Sequence, residues 1–291
     1  MRKTISILAM AAAVLCSCDK NADCVPCDQQ ETGTLAVSLL FDEGAQTKAV
    51  TSFTTSQTYE KQVNKVQIFV FDESGKINIY KDAGTTQSNI SISTTTGKKT
   101  IWAVVNGPDL SEVSSLAELE DTALDLAANS TTAATGFVMA GSTSCTVSAS
   151  AATANISVSR LVARVALQKV TNQLPDGYGA LTIENVVLTN VAGNQNIAGD
   201  ATPATWYNKM GRKDGATESS QIIDGDTNKA SCEALTFKSV GSSVANGASL
   251  TPTTPYLFYC YPNSTTTDAT GWSSSFTARK TRLVVAATIG G

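Results

Sequence analysis

The sequence predicts an all-β protein, built as two β-sandwich domains in tandem with one short helix in the first. Three observations carry this expectation. Apolar residues recur at every second position in short segments closed by Gly, Pro, Asn or Asp. Only one stretch combines a helix start signal with a helical apolar stripe. Charged residues make up just 16%, while Thr and Val, which suit a half-buried pleated surface, are frequent. A chain of 291 residues has room for two ordinary β domains.

The elements follow in order. Residues 1–18 read MRKTISILAMAAAVLCSC. Arg2 and Lys3 form a positive start, and the apolar run from Ile5 to Leu15 is too short to anchor stably across a bilayer. The run then passes through small residues to cysteine, which resembles a bacterial lipoprotein signal. Cys18 is the lipidation candidate, with Leu15 three residues before it and small Ser17 adjacent. Cys16 ranks second because bulky Leu15 would sit beside it. An ordinary secretory signal with incidental cysteines is the alternative.

Residues 19–32 read as a polar tether. The first domain is expected over 33–172. Its first strand is 34–41, TLAVSLLF, with Leu35, Val37, Leu39 and Phe41 on one face. The stretch from Asp42 to Gln62 lacks apolar periodicity, and loops that long inside a compact domain are usually functional or disordered. Val63 to Phe71 turns through Asp72-Glu73-Ser74-Gly75 into Lys76 to Tyr80, a hairpin. Lys99 to Asn106 is a strand closed by Gly107-Pro108. Ser115 and Glu118 form a capping-box pair ahead of Leu116, Leu119, Ala123 and Leu126, the helix candidate. Gly136 to Gly141, Ala154 to Val158 and Leu161 to Leu167 read as strands. Pro175-Asp176-Gly177 is a turn signal and marks the passage to a second domain over 173–291. There the strands expected are Leu181 to Asn190, Ser231 to Phe237, Tyr256 to Tyr261 and Arg282 to Ile289.

Composition excludes several kinds of chemistry. The chain has no histidine, which removes Ser-His-Asp triads, Cys-His dyads and histidine-containing metal sites together. The one Ser-x-x-Lys, Ser17 to Lys20, lies at the processing signal. Carboxylate-only catalysis stays open in principle, but the reading is a non-enzyme without cofactor. A net charge of -4 offers no basic field for nucleic acid. Cys24-Val25-Pro26-Cys27 has redox spacing but sits in the tether without a βαβ pattern, so a local disulfide or no role fits better. Cys145, Cys232 and Cys260 are scattered, and Cys260 fits as a small buried thiol in an aromatic strand. Asp224, Asp226 and Asn228 have calcium-loop spacing, yet Lys229 and Leu235 stand where that loop needs glycine and glutamate. Trp102 alternates within a strand and reads as core. Trp206 and Trp272 lie in loop-like sequence and are the candidates for stacking on a sugar.

Several segments together resemble the fimbrillins of type V pili from Bacteroides-like bacteria. They are the leader with Cys18, then VNKVQIFVFDESGKINIY, KTIWAVVNGP, GFVMAG, RLVARVALQKV and YLFYCYPN, in the family's order. The resemblance implies two transthyretin-like β-sandwich domains. It implies a precursor that passes the lipoprotein signal peptidase and reaches the outer membrane on its acyl chains. A trypsin-like protease then removes the lipidated segment with the first strand, and another fimbrial subunit donates a strand to the vacated groove. The family often carries arginine at the cut. From Asn21 to Glu60 the only basic residue here is Lys48, so cleavage is expected between Lys48 and Ala49. Leu35, Val37, Leu39 and Phe41 become the plug strand. Family chains continue past the strand matching Arg282 to Ile289, whereas this sequence stops at Gly291, so it reads as truncated and its residues do not locate the donor segment. An anchor or tip subunit of the same pilus is the alternative role. A surface glycan-binding lipoprotein, with Trp206 or Trp272 as platform, is the alternative from another class.

Overall fold

The computed structural model describes residues 31–41, 57–129, 131, 135–208, 234–264 and 280–290. Strands dominate them. The first part of the chain contributes β1 (Thr32–Phe41), β2 (Val66–Phe71), β3 (Ile77–Asp82), β4 (Ile90–Thr95), β5 (Gly97–Val105), the helix α1 (Leu116–Asp121), β6 (Ala123–Asp125), β7 (Met139–Val147) and β8 (Ala152–Arg160). The later part adds β9 (Ala163–Leu167), β10 (Val170–Thr171), β11 (Leu181–Thr189), β12 (Val191–Ala192), β13 (Asn194–Asn196) and β14 (Trp206–Tyr207). It ends with β15 (Phe237–Val244), β16 (Ser249–Leu250), β17 (Tyr256–Cys260) and β18 (Arg282–Ile289).

Seven strands of the first part form one sheet in the order β3-β2-β5-β7-β8-β1-β4. The β2–β3 hairpin follows from its turn. The Asp72 carboxylate accepts from the amides of Ser74 at 2.9 Å and Lys76 at 3.1 Å. Gly75 takes a φ of 80°, which a side chain would resist. The ladder between β7 and β8 is limited to Met139 with Arg160 and Ala140 with Ser159. Just past it, a Cβ on Gly141 would lie 2.0 Å from the Ser157 carbonyl oxygen, so glycine permits the close crossing at this corner. The sheet bends there. Strands β8, β1 and β4 share one core with β2 and β5, in the manner of a sandwich.

All six residues of β2 are buried, because this strand has a core on each face. Val66, Ile68 and Val70 point to the inner core with β1. Phe69 and Phe71 point to an outer core shared with later strands, including Ile183, Leu188, Phe258 and Tyr261. The later strands form a three-stranded sheet, β15-β11-β18, and short ladders β10–β16, β12–β14 and β9–β17. β6 pairs with β13.

Several elements differ from the sequence reading. Residues 90–95, which it left without structure, form β4; the Ser and Thr of ISISTT hid a strand whose Ile90 and Ile92 are buried. The strand begun by GFVMAG runs on to Val147. The helix is shorter than its stripe. Ser115 caps it by accepting from the Glu118 amide at 3.2 Å, but the Glu118 carboxylate bonds Ser114 rather than closing a box on Ser115. Leu124, not Ala123, is then buried. Residues 234–236 are a helical turn, and the strand expected over 231–237 begins only at Phe237. Residues 163–171, placed in the first unit by the sequence, pair with β17 and β16 of the later part.

Candidate functional site: the groove filled by the first strand

β1 owes its shape to strict alternation. Leu35 and Val37 are fully buried and Leu39 nearly so, while the intervening residues face outward. Phe41 is half-buried against the same core. The structure therefore brings the four candidate plug residues onto one face, three of them deep in the core. Burying three such side chains contributes roughly 5–9 kcal/mol gross, as an upper bound.

The strand lies between two others and is not an edge. It pairs antiparallel with β4 from Thr32 to Val37 and parallel with β8 from Leu35 to Phe41. It is the one strand β4 pairs with among the described residues. Yet β4 has independent ties. Thr94 and Thr95 both donate to the Asn78 side chain on β3, the latter at 3.0 Å, and Lys81 Nζ donates to the Ser91 carbonyl at 2.8 Å. β8 is held by its corner with β7. The walls thus have fastenings that do not pass through β1.

Few side-chain bonds fix β1 itself. Among the described residues, its one side-chain hydrogen bond is at Ser38 Oγ, which accepts from the Asn89 amide at 3.1 Å. Among the described residues, its other ties are backbone hydrogen bonds and apolar packing.

The segment that re-enters the fold at Gln57 is held differently. Glu60 is only 2% exposed, yet both its carboxylate oxygens are hydrogen-bonded. Its carboxylate takes Arg164 Nη1 at 3.0 and 3.1 Å, the Tyr259 hydroxyl at 2.6 Å and the Gln57 amide at 3.1 Å. Arg160 Nη1 donates to its carbonyl at 2.9 Å. Tyr59 meets Tyr259 edge-on and Phe137 lies tilted against it, with the Phe137 and Tyr259 ring centroids 4.6 Å apart. Burial, then the bond to Glu60, pushes the Tyr259 hydroxyl far above its ordinary range, so it stays a donor. The sequence reading passed over this cluster, whose members lie 104 and 199 residues from Glu60. An arginine inside LVARVAL and a tyrosine inside YLFYCY were its only traces.

Other candidates are placed as follows. Trp102 is a core residue, as expected. Trp206 is also buried, 7% exposed in β14, which corrects its reading as a ligand-facing aromatic. Cys260 is buried and its thiol is pushed up to about 11 by desolvation; Cys145 is half-buried. Leu235 packs in the outer core. Cys16, Cys18, Cys24, Cys27, Lys48, Ala49, Asp224, Asp226, Asn228, Cys232 and Trp272 lie outside the described residues. Among the described residues, no helix is long and apolar enough to cross a membrane, and no group of three His, Cys, Asp or Glu could hold a metal ion.

The described residues thus form a strand-rich fold whose first strand lies inside a sheet. The family of the major fimbrial subunit protein (FimA) matches residues 32–228. This chain belongs to that family, and its work is that of a cell-surface fimbrium. No curated relative matches. Solved structures show the same fold. A candidate cell adhesion protein of Parabacteroides distasonis is 18% identical, with TM-score 0.59 over 90% of this chain and 76% of that one. One from Bacteroides eggerthii is 18% identical, with TM-score 0.52 over 89% and 75%. A fimbrilin of Porphyromonas gingivalis is 14% identical, with TM-score 0.51 over 86% and 70%. At such identities the likeness is one of fold alone.

Proposed function

We propose that the chain is a fimbrial subunit precursor, exported as a lipoprotein on Cys18, cut between Lys48 and Ala49, and polymerised when a neighbour's strand takes the place of β1. The observation that carries this reading is the contrast around residues 42–56. Before them lies a strand held by backbone pairing and apolar side chains; after them lies a segment locked by Glu60. Taking β1 away leaves unsatisfied ladder groups on β4 and β8 above an aliphatic cleft, a template for strand addition. While covalently attached, β1 has a high effective concentration and outcompetes other strands; cutting the chain removes that advantage. The tandem arrangement of two transthyretin-like sandwiches belongs to the same reading. Pairing of β9 with β17 favours a division near residues 161–162 rather than at Asn172.

The test is N-terminal sequencing of material from cell surfaces, together with its polymer state. Ala49 as first residue in polymeric material is the expected result. A chain that keeps Cys18 with its lipid favours the anchor role. Monomers beginning upstream of Lys48 contradict the reading. The glycan-binding alternative has lost Trp206 as a platform, since that side chain is buried.

A further inference from the structure

The inward face of β1 begins two residues before its first large side chain. Gly33, Leu35, Val37, Leu39 and Phe41 alternate with outward residues. Gly33 is buried, and it is the one inward position of β1 without a side chain.

Its surroundings explain why. A Cβ at Gly33 would stand 2.1 Å from the Ser148 carbonyl oxygen and 2.8 Å from Val147 Cγ1. The first obstacle is backbone, which cannot rotate aside. Val147 is itself 1% exposed and closes the end of the inner core. The turn after it is braced by the Ser148 and Ser150 hydroxyls, 2.7 Å apart. On the other side Gly33 sits opposite Thr94, which the Asn78 side chain fastens.

This geometry sets register. A slip of one residue would turn every apolar side chain of the strand outward. A slip of two in one direction would drive Leu35 into the Ser148 carbonyl; in the other it would leave the Leu35 site empty. Glycine therefore resolves the ambiguity of two that alternation alone leaves.

We propose that the groove selects its occupant by a glycine at the first inward position. Large apolar side chains follow at the next alternate positions, and the donor is a strand of another fimbrial subunit running parallel to β8 in the register of β1. The inference rests on the strand-exchange reading and adds the chemistry of the segment accepted.

The test uses the full chain with a site-specific protease sequence introduced within residues 42–56, so that cutting does not depend on Lys48. The cut protein is mildly unfolded and refolded with fluorescent ten-residue peptides, and binding is read by anisotropy. The peptides are TGTLAVSLLF, the same carrying G33V, and the same carrying T32V, whose altered side chain faces outward. The unaltered and T32V peptides are expected to bind equally and leave slowly, and the G33V peptide to bind at least about tenfold more weakly. Equal binding of the G33V peptide overturns the glycine key while leaving strand exchange intact. An equal loss with T32V also overturns the key, since the effect is then not specific to the inward site. Binding of none of the three overturns strand exchange itself, and the key with it.

Discussion

The two faces of β2 look onto cores of different construction. The inner core, which β1 closes, is aliphatic apart from the half-buried Phe41, and β1 enters it without a buried ionic or aromatic tie. The outer core is rich in aromatic rings and directional bonds. Asn129 donates to the Tyr261 hydroxyl at 3.0 Å, Tyr207 donates to Asp125 at 2.8 Å, and Glu60 is gripped by Arg164 and Tyr259. On the proposed strand-exchange reading, the difference separates what is exchanged from what stays. Backbone ladders and apolar pockets accept any strand of matching pattern. A buried carboxylate with fixed donors accepts only its own partners, and removing one partner is costly. On the proposed reading, the strand to be exchanged and the segment that stays lie on either side of residues 42–56.

The largest expected effect sharpens this contrast. Leu35→Ala should cost about 4 kcal/mol of stability in the uncut protein, since the side chain is fully buried. The same substitution should be silent once a neighbour's strand occupies the groove. Urea unfolding of both forms measures it, and an equal loss in both would place β1 among the fixed parts.

Arg164→Met comes next. It leaves Glu60 buried without its cation and should cost about 3 kcal/mol, at the low end for a buried pair because the arginine side chain is 32% exposed. Here cut and uncut proteins should lose alike. Tyr259→Phe removes one donor to the same carboxylate and should cost about 1.5 kcal/mol, again in both forms. A cut-dependent loss at either residue would break the comparison.

The smallest effect belongs to the hairpin that both cores share. Hydrogen bonds from the Ser74 side chain, then from nearby amides, hold the Asp72 carboxyl below its ordinary 3.8. A depressed pKa in the folded state contributes stability above 3.8 that is lost as pH falls through the folded value. Asp72→Asn should therefore lower the melting temperature slightly at neutral pH and flatten its decline in acid, so that variant and parent converge as pH falls below 3.8. A decline as steep as in the parent would show that the turn carboxylate is not its source.

How much of this was legible in the sequence depended on the length scale of the interaction. TLAVSLLF announced a strand and its buried face, because alternation is local. Its place between β8 and β4 was not legible, since pairing register lies in no single segment and β4 was masked by its Ser and Thr. Asp72 to Gly75 announced a turn that the structure contains. Gly33 reads as an unremarkable residue before a strand until the Ser148 carbonyl is set beside it. Trp206 misled because its two-residue strand is too short for periodicity to register. The Glu60 cluster joins three segments far apart in sequence, and nothing local marks a carboxylate that will be buried.

The most direct test of the central claim is the assembly state of purified precursor before and after cutting with a lysine-directed protease, followed on unboiled detergent gels. Intact mass on the same samples reports where the chain was cut, and a full-length partner subunit is added in parallel as a source of donor strand. Ladders should appear only after cutting at Lys48, their members should begin at Ala49 and lack β1, and Lys48→Ala should remain monomeric. Cut protein that keeps β1 bound and stays monomeric beside the partner subunit would contradict the account.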